Sequence, residues 1–384
     1  MQAVTWLTIS AAFVLGVVLS FLGSIKLELS RRLKIGDTRT GTLVSILHLS
    51  LIPLMLVSGV LLDWLGVRLM IFAGCVFTCL ALYAFTLSTQ YRTAIMAVVL
   101  LGLGAACLSP ATIVLMPDAF FEDHLGASLN LGNVFFALGA LITPTLVELL
   151  LIGLGFRQTM LWMCLVALVP AAFAGFAETG RYQEHVELGS IFTEPDLWFA
   201  GLVFALYGPI EYFLSTWTTT FLTYLGHREE RAAWLLSAFW LAFLGGRVTM
   251  AFAEIWYPRV HWSQAEPWII AILAFFSSVA LGNLAGAVSR QRAAWGLILL
   301  GFLLGPIFPT LVSVLFNNKT FEGKWGTAYG SMFAIGSLGS FVSLPLIGAF
   351  ARRSNIQHAL RLPLLVSLGM LVASVVLALV TIHH

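Results

Sequence analysis

Residues 59 to 68 read GVLLDWLGVR and lie between two long apolar runs. Asp63 and Arg68 are the only charged residues in this stretch, and glycines stand at positions 59 and 66. The gap is too short to link two separately folded domains. The pattern therefore predicts a tight polar turn between two membrane helices.

The composition also indicates a membrane protein. Hydrophobic residues make up 59% of the chain and charged residues only 10%, with a mean hydropathy of +0.95. Soluble domains carry about 25% charged residues. A bilayer core needs roughly 20 apolar residues per helix, so a chain of 384 residues can supply about twelve spans. The net charge of +2 does not suggest a nucleic-acid partner.

Twelve apolar stretches follow one another, six on each side of a polar segment at residues 178–196. The first lacks the charged start and the small-residue cleavage site of a secretory signal, so we expect a retained helix. The predicted spans are 3–26, 40–62, 68–88, 93–116, 125–151, 158–177, 197–225, 232–256, 266–288, 292–315, 325–351 and 358–382.

These spans predict an all-α membrane protein with twelve transmembrane helices in two six-helix bundles. The expected domains are residues 1–177, a cytoplasmic linker at 178–196, and residues 197–384. Continuous apolar runs differ from the alternating pattern of barrel strands. Six plus six helices are typical of transporters with a solute site between two repeats near the midplane.

Ionisable residues at membrane depth are the first functional candidates, because each is costly unless it is paired or hydrated. Glu211 lies inside the seventh span beside Pro209 and is the leading candidate for a solute or proton site. A fixed ion pair with Arg247, or a neutral hydrogen-bonded acid, is the structural alternative. Arg247, His48 and Glu28 are further candidates, although a lone helical histidine often donates one hydrogen bond and nothing more.

Amide and aromatic side chains form a second group of candidates for the solute path. Asn130 and Asn133 can donate and accept hydrogen bonds at once, as recognition of a hydroxylated solute requires. Amides also hold membrane helices together, so helix packing is the alternative. Tyr207 and Trp217 offer faces for a sugar ring, but aromatic residues in membrane proteins often line the lipid interface instead.

The decapeptide resembles the signature of the major facilitator superfamily in its GxLxDxxGxR pattern. The matching residues are Gly59, Leu61, Asp63, Gly66 and Arg68. The resemblance implies alternating access, with this loop as a gating element in the cytoplasm. We expect Asp63 to accept hydrogen bonds at a helix amino terminus and to pair with Arg68 or Arg247 in one state.

Further motifs resemble the fucose, galactose and glucose proton symporter (fucose permease) branch. They comprise Ser109 with Pro110, Leu129 with Asn130, Phe135, Gly139 and Pro144, then Glu211 with Trp217, Gly246 with Arg247, and Gly301 with Phe308, Pro309 and Thr310. The resemblance implies a sugar as solute and a proton as coupling ion. However, Gly23 and Ala105 stand where the branch places acids. Coupling would then fall to Glu28, Glu211 or His48.

The two indicators of orientation disagree. If the amino terminus is cytoplasmic, as the resemblance implies, only six of the 20 basic residues face the cytoplasm. The positive-inside rule favours the opposite orientation. We expect a multi-pass protein of the cell (inner) membrane with cytoplasmic termini.

The sequence thus predicts a secondary active transporter for a small polar solute such as a sugar, with proton coupling as an option. One alternative is an exporter of lipophilic or amphiphilic compounds, and another is a non-transporting membrane receptor or scaffold. The expected partners are a small-molecule solute, a proton and the lipid bilayer, and the expected state is a monomer. No cofactor, metal or enzyme activity is expected, because no catalytic cluster or phosphate-binding loop is present.

Overall fold

The computed structural model describes residues 2–121, 123–177, 188–287, 289–353 and 359–381, and most of these residues are helical. A 3₁₀ turn at Lys319–Phe321 joins two of the helices. The helices are α1 Gln2–Leu33, α2 Asp37–Leu65, α3 Val67–Leu87, α4 Tyr91–Ala119, α5 Leu125–Leu154, α6 Phe156–Ala174, α7 Leu188–Thr193, α8 Pro195–Tyr224, α9 Glu229–Trp256, α10 Trp262–Ala285, α11 Arg290–Leu304, α12 Ile307–Asn317, α13 Trp325–Arg353 and α14 Arg361–Thr381.

The predicted all-helical membrane fold is confirmed. Eleven helical segments among the described residues are long and apolar enough to cross a membrane, with α11 and α12 counted as one segment. Helix α13 covers the remaining predicted span. Of the predicted linker, residues 178–187 lie outside the described residues, and α7 occupies most of the rest.

Two predicted helices differ most from the structure. Helix α1 continues to Leu33, seven residues past its predicted end at residue 26, because Ile25 and Leu29 extend its buried face. Its last turn carries two arginines, which suit the negative end of the helix dipole. The predicted span 292–315 is broken into α11 and α12 at Gly305 and Pro306.

The described chain divides into two compact units. Unit 1 comprises Met1–Asp123, Gly132–Val186 and Gly323–Ala334. Within it, α4 packs against α1, α2 and α3. In the most apolar 18-residue stretch of α4, 83% of the residues are buried. This helix is therefore the centre of unit 1.

Unit 2 comprises His124–Leu131, Glu187–Glu322 and Ile335–His384. Of its candidate membrane spans, the one formed by α11 and α12 is the most buried, with 72% of the residues in its most apolar 18-residue stretch buried. Each unit includes a helix start from the other half of the sequence, because the first turns of α5 belong to unit 2 and those of α13 to unit 1. The division of domains at residues 178–196 stays a prediction.

Candidate functional site

Asp63 lies near the end of α2 and binds the first turn of α13 within unit 1. Its carboxylate accepts hydrogen bonds from the backbone N–H of Gly326 at 2.9 Å and of Thr327 at 2.7 Å, and from the Thr327 hydroxyl at 2.5 Å. Only 3% of Asp63 is exposed. A negative charge at a helix amino terminus is favoured by the helix dipole and by the free N–H groups there. We call this arrangement the Asp63 latch.

Glycines allow the two helices of the Asp63 latch to approach closely. A Cβ on Gly59 would lie 2.3 Å from the Gly326 carbonyl oxygen, and one on Gly330 would lie 2.4 Å from the Met55 carbonyl oxygen. Both obstacles are backbone atoms, so side-chain rotation cannot relieve them. Gly66 ends α2 with φ +80°, a conformation that favours glycine. Of the glycines in the decapeptide, Gly66 thus permits the turn and Gly59 permits the close approach of α13.

The other two residues of the motif lie outside this carboxylate site. Arg68 is exposed and donates from Nη2 to the Gly175 carbonyl oxygen at 3.1 Å, which ties the start of α3 to the end of α6. Leu61 is half-buried on α2. In this structure Arg68 therefore connects two elements of unit 1 and does not donate a hydrogen bond to Asp63.

A second polar site surrounds the break between α11 and α12 in unit 2. Proline has no N–H, so Pro306 and Pro309 leave the carbonyls of Phe302 and Gly305 without their intrahelical donors four residues later. Arg247 on α9 donates from Nε to the Gly305 carbonyl at 2.9 Å. The break thus exposes backbone acceptors in the most buried segment of the unit.

Three predicted site residues meet at this break. Tyr207 on α8 donates to the Leu304 carbonyl at 3.3 Å, and it lies one turn before Glu211 on the same helix. Arg247 acts on Glu211 through its charge. Tyr207 is 1% exposed and Arg247 4% exposed, whereas Glu211 is only half-buried. Two buried donors and one half-buried acid can together bind a group that both donates and accepts hydrogen bonds.

Aromatic rings adjoin this polar group. The Phe204 ring lies 6.4 Å from the Tyr207 ring and 5.0 Å from the Phe308 ring, measured between centroids. The Arg247 guanidinium lies 4.6 Å from the centroid of Phe243. Trp217, one of the predicted residues, is half-buried further along α8.

The predicted amides of α5 lie in two different surroundings. Asn130 is fully buried in unit 2 and donates to the Gly126 carbonyl at 2.9 Å and to the Thr310 hydroxyl at 3.3 Å. Asn133 is buried in unit 1, where its Nδ2 lies 3.7 Å from the Met116 sulfur. Asn130 therefore joins α5 to α12, and Asn133 packs against α4.

Two predicted titratable candidates interact with their own helices. His48 is exposed, and its Nδ1 lies 2.9 Å from the Val44 carbonyl one turn earlier. Glu28 lies 3.9 Å from Arg31 on the same helix, with 35% of its side chain exposed. Neither residue belongs to the polar group at the helix break.

Sequence reasoning missed two buried polar residues. Tyr329 on α13 forms a 2.9 Å hydrogen bond with Ser109 on α4 inside unit 1. Glu266 was predicted to start its helix, but α10 begins at Trp262, so Glu266 lies one turn inside and is 1% exposed. Among the described residues, no group of three or more His, Cys, Asp or Glu is placed to hold a metal ion.

Comparisons with known proteins agree with this architecture. A probable L-galactonate transporter of Escherichia coli K12 is 24% identical over 172 residues, which is 45% of this chain and 38% of the relative's length. The Escherichia coli fucose:proton symporter FucP has a TM-score of 0.78 at 17% identity, covering 96% of this chain and 97% of that one. The human organic anion transporter MFSD10 has a TM-score of 0.72 at 14% identity, covering 97% and 100%.

At these identities the two solved structures establish a shared fold. The family model of the Major Facilitator Superfamily matches residues 7–322, which is most of the chain. The protein therefore belongs to the major facilitator superfamily.

Proposed function

We propose that this protein is a secondary active transporter that moves a small polyhydroxylated solute, a sugar or a sugar acid, by alternating access. The observation that carries the proposal is the break between α11 and α12, where Tyr207 and Arg247 bind freed backbone carbonyls beside the half-buried Glu211. Broken helices near the midplane supply the solute sites of many transporters. Two relatives whose names specify fucose and L-galactonate support this solute class.

In this proposal Glu211 accepts hydrogen bonds from solute hydroxyls, while Tyr207 and Arg247 hold the carbonyls of the break in position. A solute that reaches Arg247 can also present a carboxylate to it, as a sugar acid would. Glu211 is also the preferred proton site among the three predicted candidates, because Glu28 and His48 interact with their own helices.

The Asp63 latch is the gate in this proposal. Its three hydrogen bonds stabilise the state in which α13 starts against the end of α2, and transport requires that they break once in each cycle. We place the termini in the cytoplasm of a cell (inner) membrane and expect a monomer. A tag in the loop after α1 that is accessible only from the cytosol would reverse this orientation.

Counterflow in proteoliposomes tests the transport proposal. We expect labelled fucose, galactose or galactonate to accumulate when the vesicles are preloaded with the same unlabelled compound, and Glu211→Gln to abolish this signal. Glu229→Gln is the matched control, because Glu229 is an exposed carboxylate in the first turn of α9.

Purified protein provides a second assay for the solute class. Bound solute raises the midpoint of thermal unfolding, so the same three compounds should stabilise the wild type and not Glu211→Gln. Counterflow of a lipophilic cation such as tetraphenylphosphonium, without counterflow of any sugar or sugar acid, would favour the exporter instead. Absence of flux for every compound would favour the receptor or scaffold.

A further inference from the structure

Two carboxylates share one buried site at the first turn of α5 in unit 2. Glu254 near the end of α9 is 3% exposed, and Glu266 in α10 is 1% exposed. A Cβ on Gly126 would lie 2.1 Å from Glu266 Oε1 and 2.7 Å from Glu254 Oε2. Both oxygens therefore lie within 2.7 Å of the position that this Cβ would take, so the two acids are close neighbours. Glycine at position 126 makes room for both.

Glu266 is well supplied with neutral hydrogen-bond donors. The Ser313 hydroxyl lies 2.7 Å from Oε1 and 2.8 Å from Oε2, and Asn317 Nδ2 donates to Oε2 at 2.9 Å. Both donors are on α12. These contacts fix the position of the Glu266 carboxylate beside α5 without neutralising its charge.

Glu254 lacks a comparable set of donors. The backbone N–H groups of Gly126 and Ala127 face its carboxylate, and His124 Nδ1 lies 3.7 Å from Oε1. Its Oε2 is buried and has no hydrogen-bond partner among the described atoms. A buried carboxylate oxygen without a donor is costly, so this atom points to a missing hydrogen.

Among the residues that the structure describes, no lysine or arginine forms an ion pair with either acid. The titratable His124, just before α5, faces Glu254, and from α12 the contacts are the neutral Ser313 and Asn317. Arg259, five residues after Glu254, is exposed, and Arg247, two turns before Glu254 on α9, has its Nε bound to the Gly305 carbonyl. Two ionised carboxylates in one buried site repel each other strongly, whereas one shared proton removes the repulsion.

We propose that Glu254 and Glu266 form a proton-binding site that holds the first turn of α5 in place. One proton shared between the two carboxylates supplies the hydrogen that Glu254 Oε2 lacks, and its loss drives the acids apart and releases α5. We call this arrangement the Glu254–Glu266 pair. Its role in a transport cycle rests on the proposed function, but proton binding itself does not.

Hydrogen–deuterium exchange of the purified protein, from about pH 5.5 to pH 8, tests the proposal without any solute. After correction for intrinsic exchange rates, protection of the amides of residues 124–131 should fall about tenfold as the pH rises. The amides of residues 325–331 serve as the internal control, because the Asp63 latch holds them with a single carboxylate. Equal behaviour of the two segments would overturn the proposal.

Matched variants identify the group that binds the proton. Glu266→Gln and Glu254→Gln should each remove the pH dependence of residues 124–131, and thermal unfolding shows which of them is folded. His124→Gln should retain the dependence, because the histidine is only a neighbour of the pair. If His124→Gln removes the dependence, or if both glutamine variants retain it, the proposal is wrong.

A further experiment with sodium distinguishes binding of a proton from binding of a metal cation. Adding sodium at the upper end of the pH range should leave exchange of residues 124–131 unchanged. Restored protection with sodium would identify a metal-cation site and overturn proton binding. Failure of the counterflow assay with intact pH-dependent exchange would reject the transport proposal alone.

Discussion

Asp63→Asn should release α13 from α2 while leaving the solute site intact. Asparagine keeps one acceptor oxygen, loses the charge, and turns an NH₂ group toward a backbone N–H. Hydrogen bonds to charged groups contribute about 1.5–3 kcal/mol each, and a charge at a partly buried helix terminus adds up to about 2 kcal/mol. We therefore expect a loss of about 2–4 kcal/mol, since part of the bonding remains. This loss shifts the population of latched molecules by roughly 30- to 700-fold.

Hydrogen–deuterium exchange at Gly326 and Thr327 measures this shift directly, because both amides donate to Asp63 in the latched state. Exchange should accelerate in Asp63→Asn and remain unchanged in Glu229→Gln, which alters an exposed helix-terminal acid. Transport should slow, and the thermal shift induced by solute should stay near that of wild type. Unchanged exchange in a folded variant, or a large loss of equilibrium binding, would refute the gating role.

Three further predictions concern one glycine of the Asp63 latch and two residues at the helix break. Gly59→Ala should accelerate exchange at the start of α13 as Asp63→Asn does, although the charge remains, because its Cβ would lie 2.3 Å from a backbone oxygen. Unchanged exchange would mean that the added methyl group is accommodated without loosening the Asp63 latch. Glu211→Gln should abolish solute binding or its pH dependence, and unaltered uptake from mildly acidic to mildly basic pH would leave the residue a structural role. Tyr207→Phe should lower the thermal midpoint through loss of about 1 kcal/mol, and a midpoint equal to wild type would show that the Leu304 contact contributes nothing.

The local chemistry of Asp63 could be predicted from the sequence, but its binding partner could not. An acid between glycines at the end of an apolar run indicates a helix-terminal acceptor, and the glycines indicate close approach. Gly326, which donates to Asp63, lies 263 residues later in the sequence. Nothing in a single sequence connects two positions so far apart, because the contact depends on how complete helices pack.

The broken helix shows a different limit. Hydropathy measures transfer into lipid and is insensitive to the hydrogen-bonding of the backbone, so residues 292–315 formed one uninterrupted apolar run. The signal was present in Pro306 and Pro309, which remove the N–H donors for the carbonyls at 302 and 305. Locating Arg247 at one of those carbonyls required the packing of α9 against α11.

Glu266 was missed because a helix start was predicted four residues too late. An acid at a helix start suggests a solvated terminus, where a negative charge suits the dipole. One turn further in, the same acid is buried and faces α5 and α12. A small error in a predicted helix boundary therefore changes the expected environment of a charged residue near the helix end from solvated to buried. The expected environment of an apolar residue changes less.

The starts of α5 and α13 show how one helix-terminal contact can acquire two different chemistries. Each begins with a large apolar residue and a glycine, Leu125 with Gly126 and Trp325 with Gly326, and each faces an acid from another helix. In α13 the next residue is Thr327, whose hydroxyl completes the bonding of Asp63. In α5 the next residue is Ala127, which has no side-chain donor, and Glu254 retains an unbonded oxygen beside a second acid. The Thr327 hydroxyl completes one contact without a proton, whereas the missing hydroxyl and the second acid leave the other in need of one under our proposal.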